Sequence, residues 1–205
     1  MLFGSLSLEQ LLAAIVALLV GLTFHEFSHA FVADGLGDHR PRAMGRLTLN
    51  PLAHIDPIGA IMLLVAGFGW AKPVLVNPYA LRTGRSGMAV VAAAGPIANV
   101  VVAVAFAITF RVLDTLGFDS GFVPRFVELV VRLNILLAIF NLIPIPPLDG
   151  YNVLLAFLPP RQALTLQRYA PYGVIVLLLL VLLPNSPLRL LLGLTIPITR
   201  LLIGA

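Results

Sequence analysis

Five stretches of the chain are apolar for long enough to cross a hydrocarbon core of about 30 Å. They run from Leu8 to Ala33, Ser86 to Leu113, Phe126 to Ile143, Tyr169 to Leu183 and Leu188 to Ile203. A sixth apolar run, Ile58 to Trp70, has thirteen residues. As a helix it would rise only about 20 Å, so it reads as re-entrant or as one leg of a short hairpin. Two alternating stretches flank it, Arg46-Leu47-Thr48-Leu49-Asn50 and Lys72-Pro73-Val74-Leu75-Val76-Asn77, each followed by proline. Their period of two suits the strands of a small sheet at the membrane edge, whose open side can pair with an extended peptide. Two irregular interfacial loops account for the pattern equally well. The pattern thus predicts an all-α polytopic membrane protein, with about five to six transmembrane helices plus a short re-entrant or β-hairpin element between the first and second spans.

Composition strengthens this reading. Hydrophobic residues make up 60% of the 205 residues and charged residues 11%, far below the roughly 25% charge of soluble domains, and the mean hydropathy is +1.02. The first apolar run is too long for a cleaved signal peptide and lacks a basic residue before it. Short connections leave no room for a soluble domain, so residues 1–205 read as a single integral membrane domain. Twelve of the thirteen basic residues are arginine, and most lie in connections, which points to membrane orientation and not to nucleic acid. Arg40, Arg42 and Arg46 precede the sixth run and Lys72, Arg82 and Arg85 follow it, so both its flanks belong on the cytoplasmic side. On that basis the Ser86 helix runs outward and the Phe126 helix returns. Pro184 to Pro187 then makes an outer turn, and Arg200 ends inside.

Charge inside an apolar run is costly, and the first run contains His25-Glu26-Phe27-Ser28-His29. On a helix, His25 and His29 share one face and can grip a single zinc ion, with Glu26 beside it as a base. Four His and three Glu in the whole chain produce this pattern by chance about once in a thousand such sequences. The alternative is a pair of packed histidines with Glu26 as ion-pair partner. With no cysteine in the chain, further ligands must be His or carboxylate. The candidates are Asp149, which follows the Pro144–Pro147 break, then His54 and Asp56, and then Asp34, Asp38 and His39, which the sequence places in water beyond the first helix. Asp149 is the best of these, although an Asp before Gly is also a common turn former.

From Thr23 to Val153 the chain resembles the site-2 protease family of intramembrane zinc metalloproteases, in its compact bacterial form without PDZ or CBS domains. The motifs that carry the resemblance are His-Glu-Phe-Ser-His-Ala, the stretch Gly45 to Pro57, Gly95-Pro96-Ile97-Ala98-Asn99 and Pro-Pro-Leu-Asp-Gly. It implies that His25, His29 and Asp149 hold one Zn2+ per chain and that Glu26 is the catalytic base. It also implies that Asn141 donates to an oxyanion or to the substrate backbone and that Asn99 packs helices near the site; His54 is shared with the compact members, and the expected mechanism has it assist Asn141 at the oxyanion. The expected catalytic core covers about residues 8–153, with accessory helices over 154–205.

The resemblance and the residues together lead to the expectation of a zinc metalloendopeptidase that cleaves transmembrane segments of membrane proteins. Its partners would be a transmembrane protein substrate and the lipid bilayer, with no nucleic acid. The expected location is the bacterial inner membrane, with the active site towards the cytoplasm. Better-known relatives carry a helix before the HExxH helix, which stands first here. A metal ion transporter or a catalytically inert scaffold of the same fold are the rival readings, and transporters usually show repeat symmetry.

Overall fold

A computed structural model describes residues 7–59, 62, 69, 71–118, 120–183 and 186–204. Among the described residues the chain is helical, and no strand forms. Helix α1 spans Leu8–Gly35, α2 Arg40–Ala43, α3 Gly84–Thr115, α4 Phe122–Asn141 and α5 Asp149–Phe157. The remainder are α6 Pro160–Tyr169, α7 Gly173–Leu182, α8 Pro187–Gly193 and α9 Thr195–Ile203. Among the described residues, three segments are long and apolar enough to cross a membrane: Leu8–Gly35, Gly84–Thr115 and Pro160–Leu182. Helix α4 has 20 residues and would rise about 30 Å, but it carries Arg125, Glu128 and Arg132.

Local chemistry sets the ends of the long helices. The Ser7 side chain accepts from the Gln10 N–H while the Gln10 side chain reaches back to the Ser7 N–H, a reciprocal cap that starts α1. Its far end closes with Gly37 at φ 110°, where the Gly37 and Asp38 N–H groups return to Asp34 and Ala33. Gly117 and Phe118 end α3 in the same way, on Asp114 and Leu113. Two arginines cap other helix ends from a distance. Arg85 donates to the carbonyls of Leu155 and Leu158 after α5, and Arg111 donates to those of Leu202 at 2.7 Å and Leu201 at 2.9 Å.

The packing is inverted relative to a soluble bundle. On α1 the inward residues are small, with Ala13, Ala17 and Gly21 buried, while Leu12, Val16 and Phe31 face out. The buried stripe of α3 includes Gly87, Ala92, Gly95, Ala103 and Ala107, and its Ile97, Val101 and Ile108 are exposed. Small residues let backbones approach where apolar surroundings provide no hydrophobic drive. A Cβ on Gly21 would come within 2.7 Å of the Leu137 side chain, so α1 and α4 meet there closely. Helix α3 lies at the centre, touching α1, α4, α5 and α9.

Two expectations change, and a third lies mostly outside the described residues. The stretches 46–50 and 72–77 are irregular; an isolated antiparallel bridge links Ile55 and Ala71 close by, and the Arg46 side chain donates to the Lys72 carbonyl. Most of the Ile58–Trp70 run lies outside the described residues. The last apolar segment breaks into α8 and α9 and runs opposite to expectation. Leu188 packs with Ile143 and Leu148 below the end of α4, whereas Ile203 packs with Ala103, Ala107 and Val131. Arg200 therefore lies at the Arg111 end of the molecule, because Arg111 caps α9 and outweighs the preference of a single basic residue.

Since the chain has no cysteine, single Cys variants report sidedness without background. We expect Leu116→Cys and Leu201→Cys in sealed vesicles to react with an impermeant maleimide from one side, and Tyr79→Cys, which is 97% exposed, from the other. Labelling of Leu201→Cys together with Tyr79→Cys would refute the direction assigned to α9.

Candidate metal centre

The His25 and His29 rings project from one face of α1, as four-residue spacing on a helix requires. Asp149 is the first residue of α5. His25 Nε2 lies 3.1 Å from Asp149 Oδ2, His29 Nε2 lies 3.3 Å from the same oxygen, and the two Nε2 atoms are 3.1 Å apart. All three residues are buried or largely so.

What fixes the rings lies behind them. His25 Nδ1 is 2.7 Å from Asn99 Oδ1, and His29 Nδ1 is 2.7 Å from the Val91 carbonyl oxygen. Both partners accept, so each Nδ1 carries the proton and each Nε2 presents a lone pair. Asn99 is fully buried. Its amide also donates to the Gly21 carbonyl at 3.0 Å and to Asn134 Oδ1 at 2.9 Å, and Asn134 donates in turn to the Val130 carbonyl. One polar chain therefore joins α1, α3 and α4 at the level of His25. Gly95 makes the room, since a Cβ there would stand 2.5 Å from atoms of both imidazoles. The proline that follows, Pro96, lies inside α3 and leaves the Ala92 carbonyl without its helical donor.

Asp149 arrives by a different route. Helix α4 stops at Asn141, and the prolines at 144, 146 and 147 prevent it from resuming. Gly150 then sits against the chain it has just left, where a Cβ would fall 2.2 Å from the Leu142 carbonyl oxygen. Its helical backbone shows that this Asp-Gly pair serves close approach and not a turn. Asp149 Oδ2 is buried and has no hydrogen-bond donor.

Three acceptor atoms thus converge with no donor between them, which is unfavourable unless a cation lies among them. Ligand atoms about 2.0–2.1 Å from a tetrahedral zinc stand roughly 3.3 Å from one another, and the observed triangle matches. A donor set of two imidazoles and one carboxylate, with a fourth side open to a cavity, fits a catalytic zinc site.

That cavity, about 220 Å³, is lined by Glu26, Asn141, Asn152, Pro73, Val74, Met88 and the three converging residues, among others. Glu26 is buried. The Asn141 amide donates to the Leu137 carbonyl at 3.0 Å. His54 does not line this cavity. It is buried in the loop after α2, and its Nε2 lies 2.8 Å from the Thr48 carbonyl oxygen. Asp56 is also engaged locally, accepting from the Gly59 N–H at 2.8 Å. Asp34 and Asp38 are buried and not in open water. Asp34 pairs with Arg42 and His39 and Asp38 with Arg40, so neither Asp34 in the last turn of α1 nor Asp38 and His39 beyond it reaches the triangle. Arg40 holds the Asp38 carboxyl down at about 2. Sequence reasoning missed Asn134 and Asn152, and it had Gly95 as part of a motif without a role of its own. Asn134 could have been suspected as an amide set inside an apolar helix.

Known proteins provide an independent reading. Residues 117–183 match the family model described as Peptidase family M50, a range that includes Asp149. YwhC of Bacillus subtilis is 38% identical over 176 residues, covering 83% of this chain and 80% of that protein. Rip2 of Mycobacterium tuberculosis strain H37Rv is 34% identical over 175 residues, or 82% of this chain and 65% of its own length. MJ0611 of Methanocaldococcus jannaschii is 28% identical over 156 residues, 74% of each chain. All three carry names that class them, provisionally, as zinc metalloproteases. No solved structure matches the chain.

Because Asn99 orients a ring that faces the triangle, Asn99→Ala should weaken zinc binding by about 10–100-fold. Competition titration against a metal chelator measures this, and unchanged affinity would refute the role. Gly95→Val should abolish binding, since its side chain would occupy the space of the two imidazoles.

Proposed function

The chain belongs to peptidase family M50, the site-2 proteases, and from that premise we propose that it is a zinc-dependent intramembrane endopeptidase that cleaves transmembrane segments of membrane proteins. The observation that carries this reading is the convergence of three donor-free acceptor atoms, His25 Nε2, His29 Nε2 and Asp149 Oδ2, in one cavity with the Glu26 carboxylate. A carboxylate beside such a triangle suits hydrolysis, whereas passage of an ion has no use for it.

In this reading His25, His29 and Asp149 hold one zinc ion per chain. Zinc, when bound, polarises the scissile carbonyl and makes a water molecule more acidic. Glu26 accepts the water proton as the water oxygen bonds to the carbonyl carbon. It passes that proton to the amide nitrogen as the C–N bond breaks, so that an acid and an amine leave. Asn141 uses one amide hydrogen on Leu137 and has the other for the carbonyl oxygen as charge develops there.

A helical peptide shields its own carbonyls, so the substrate must be extended where it is cut. The wall Pro73–Val76 is the surface along which such a segment would lie. The bilayer surrounds the exposed apolar faces of α1 and α3, and further spans, five to six in all, would be completed by α4 and the C-terminal helices. The cluster of basic residues between α1 and α3 supports a cytoplasmic side for the cavity, which in a bacterium means the inner membrane.

Glu26→Gln tests the assignment. The variant should keep one zinc per chain and lose at least about a hundredfold in cleavage of a transmembrane substrate. Retained cleavage in a zinc-loaded variant would remove Glu26 from the mechanism. Zinc transport by the wild-type protein in proteoliposomes, without cleavage, would replace the protease reading altogether.

A further inference from the structure

The connection between α1 and α3 buries more polarity than hydrolysis requires. Asp38, His54 and Arg46 are 1%, 2% and 3% exposed, and none of them lines the cavity. A guanidinium is costly to desolvate, yet among the described residues Arg46 has only carbonyl partners, those of Ala53 and Lys72. His54 folds the same loop by donating from Nε2 to Thr48, and its own carbonyl accepts the Lys72 N–H at 2.8 Å. Lys72 is therefore held by both its main-chain groups, one by Arg46 and the other by His54.

The other end of the segment is also clamped. The Asn77 N–H donates to Asp38 Oδ2 at 2.6 Å, and Arg40 fixes that carboxylate through two bonds of 2.9 Å. Between the clamps run Pro73, Val74 and Val76, which line the cavity beside His25, Glu26 and Asp149. Among the described residues, no main-chain hydrogen bond reaches Val74, Leu75 or Val76. Val76 packs against Ala33, Leu81 and Val91. Among the described residues, the hydrogen bonds that hold the segment gather at its two ends.

We propose that Arg46, His54 and Asp38 are positioning residues for substrate: they hold Pro73–Val76 extended at a set distance from the three converging ligands, so that an unwound apolar peptide segment can lie between. The proposal rests on the proteolytic reading of the same cavity. It assigns the Gly45–Pro57 motif to substrate binding and gives His54 a role other than proton transfer or oxyanion contact.

The test uses the full-length, zinc-loaded protein in detergent and a fluorogenic peptide of about 20 apolar residues, broken at its centre by Asn-Pro-Gly. Turnover is read in the wild-type background and binding in the Glu26→Gln background. Arg46→Ala, His54→Ala and Asp38→Ala should each raise KM and Kd about tenfold, as loss of a charged or buried hydrogen bond implies. The value of kcat should change less than about threefold and zinc should stay at one per chain. His54→Gln keeps an N–H donor for Thr48 and should recover most of the binding, whereas a catalytic His54 would lose kcat in both variants. If Arg46→Ala does not give zinc-loaded protein, Asp38→Ala decides, because it acts at the opposite end. Unchanged KM and Kd, or a loss carried by kcat, overturns the proposal. Absence of peptide cleavage by the zinc-loaded wild-type protein would instead refute the hydrolytic reading, while a weakened Kd in the clamp variants would still stand.

Discussion

Two imidazole lone pairs and a carboxylate oxygen do not approach one another to 3.1–3.3 Å without being compelled. Their mutual repulsion, in a site from which water is largely excluded, is the constraint around which the rest of the protein is arranged. The force that opposes it comes from behind each ligand. Asn99 and the Val91 carbonyl, both on α3, draw the Nδ1 protons of His25 and His29, and this fixes which nitrogen faces inward. A cation bound there would turn the strain into binding energy, since donor atoms already in place lose little freedom on capture.

Bringing α3 that close to α1 requires the side chains between them to be almost absent. Gly95 is the clearest instance, with both imidazoles resting on its Cα, and Gly21 plays a similar part between α1 and α4. The pattern of small residues inside and large ones outside is what a bilayer permits, because lipid solvates leucine as well as a protein core does. The buried Asn99–Asn134 pair adds what packing alone lacks, a direction. Both amide nitrogens and both amide oxygens of that pair meet partners on specified helices, which sets rotation and depth together.

Much of this was legible in the residues. HExxH spacing and the Pro-rich approach to Asp149 identified the converging atoms, because periodicity and chain breaks are local properties. Long-range placement was less accessible. The Asp149-Gly150 pair looks like a turn, yet its glycine is needed for contact with Leu142. The alternation around Val74 looks like a strand, but proline and the pairing of its ends by side chains leave it irregular. Arg200 was misread because a single charge was weighed without its neighbours, and the Arg111 cap on α9 is visible only in three dimensions. Asp38 appeared solvated because it is polar and follows a helix end. In the fold it is covered and gripped by Arg40.

The helices after residue 154 look dispensable from motifs alone, since no ligand lies among them. Their contacts argue otherwise. Asp149 hangs from a loop of prolines that has little regular hydrogen bonding of its own, so its position must be imposed from outside. Gly173 at the start of α7 comes so near Pro146 that a Cβ would meet its carbonyl oxygen at 2.3 Å, and Leu177 and Leu188 bury Ile143 and Leu148 on either side of the loop. Arg85, from the first turn of α3, closes the far end of α5. Asp149 is thus located by α3 on one side and by the C-terminal helices on the other. A movement of those helices would be felt first at Asp149, the one member of the triangle that α1 does not carry.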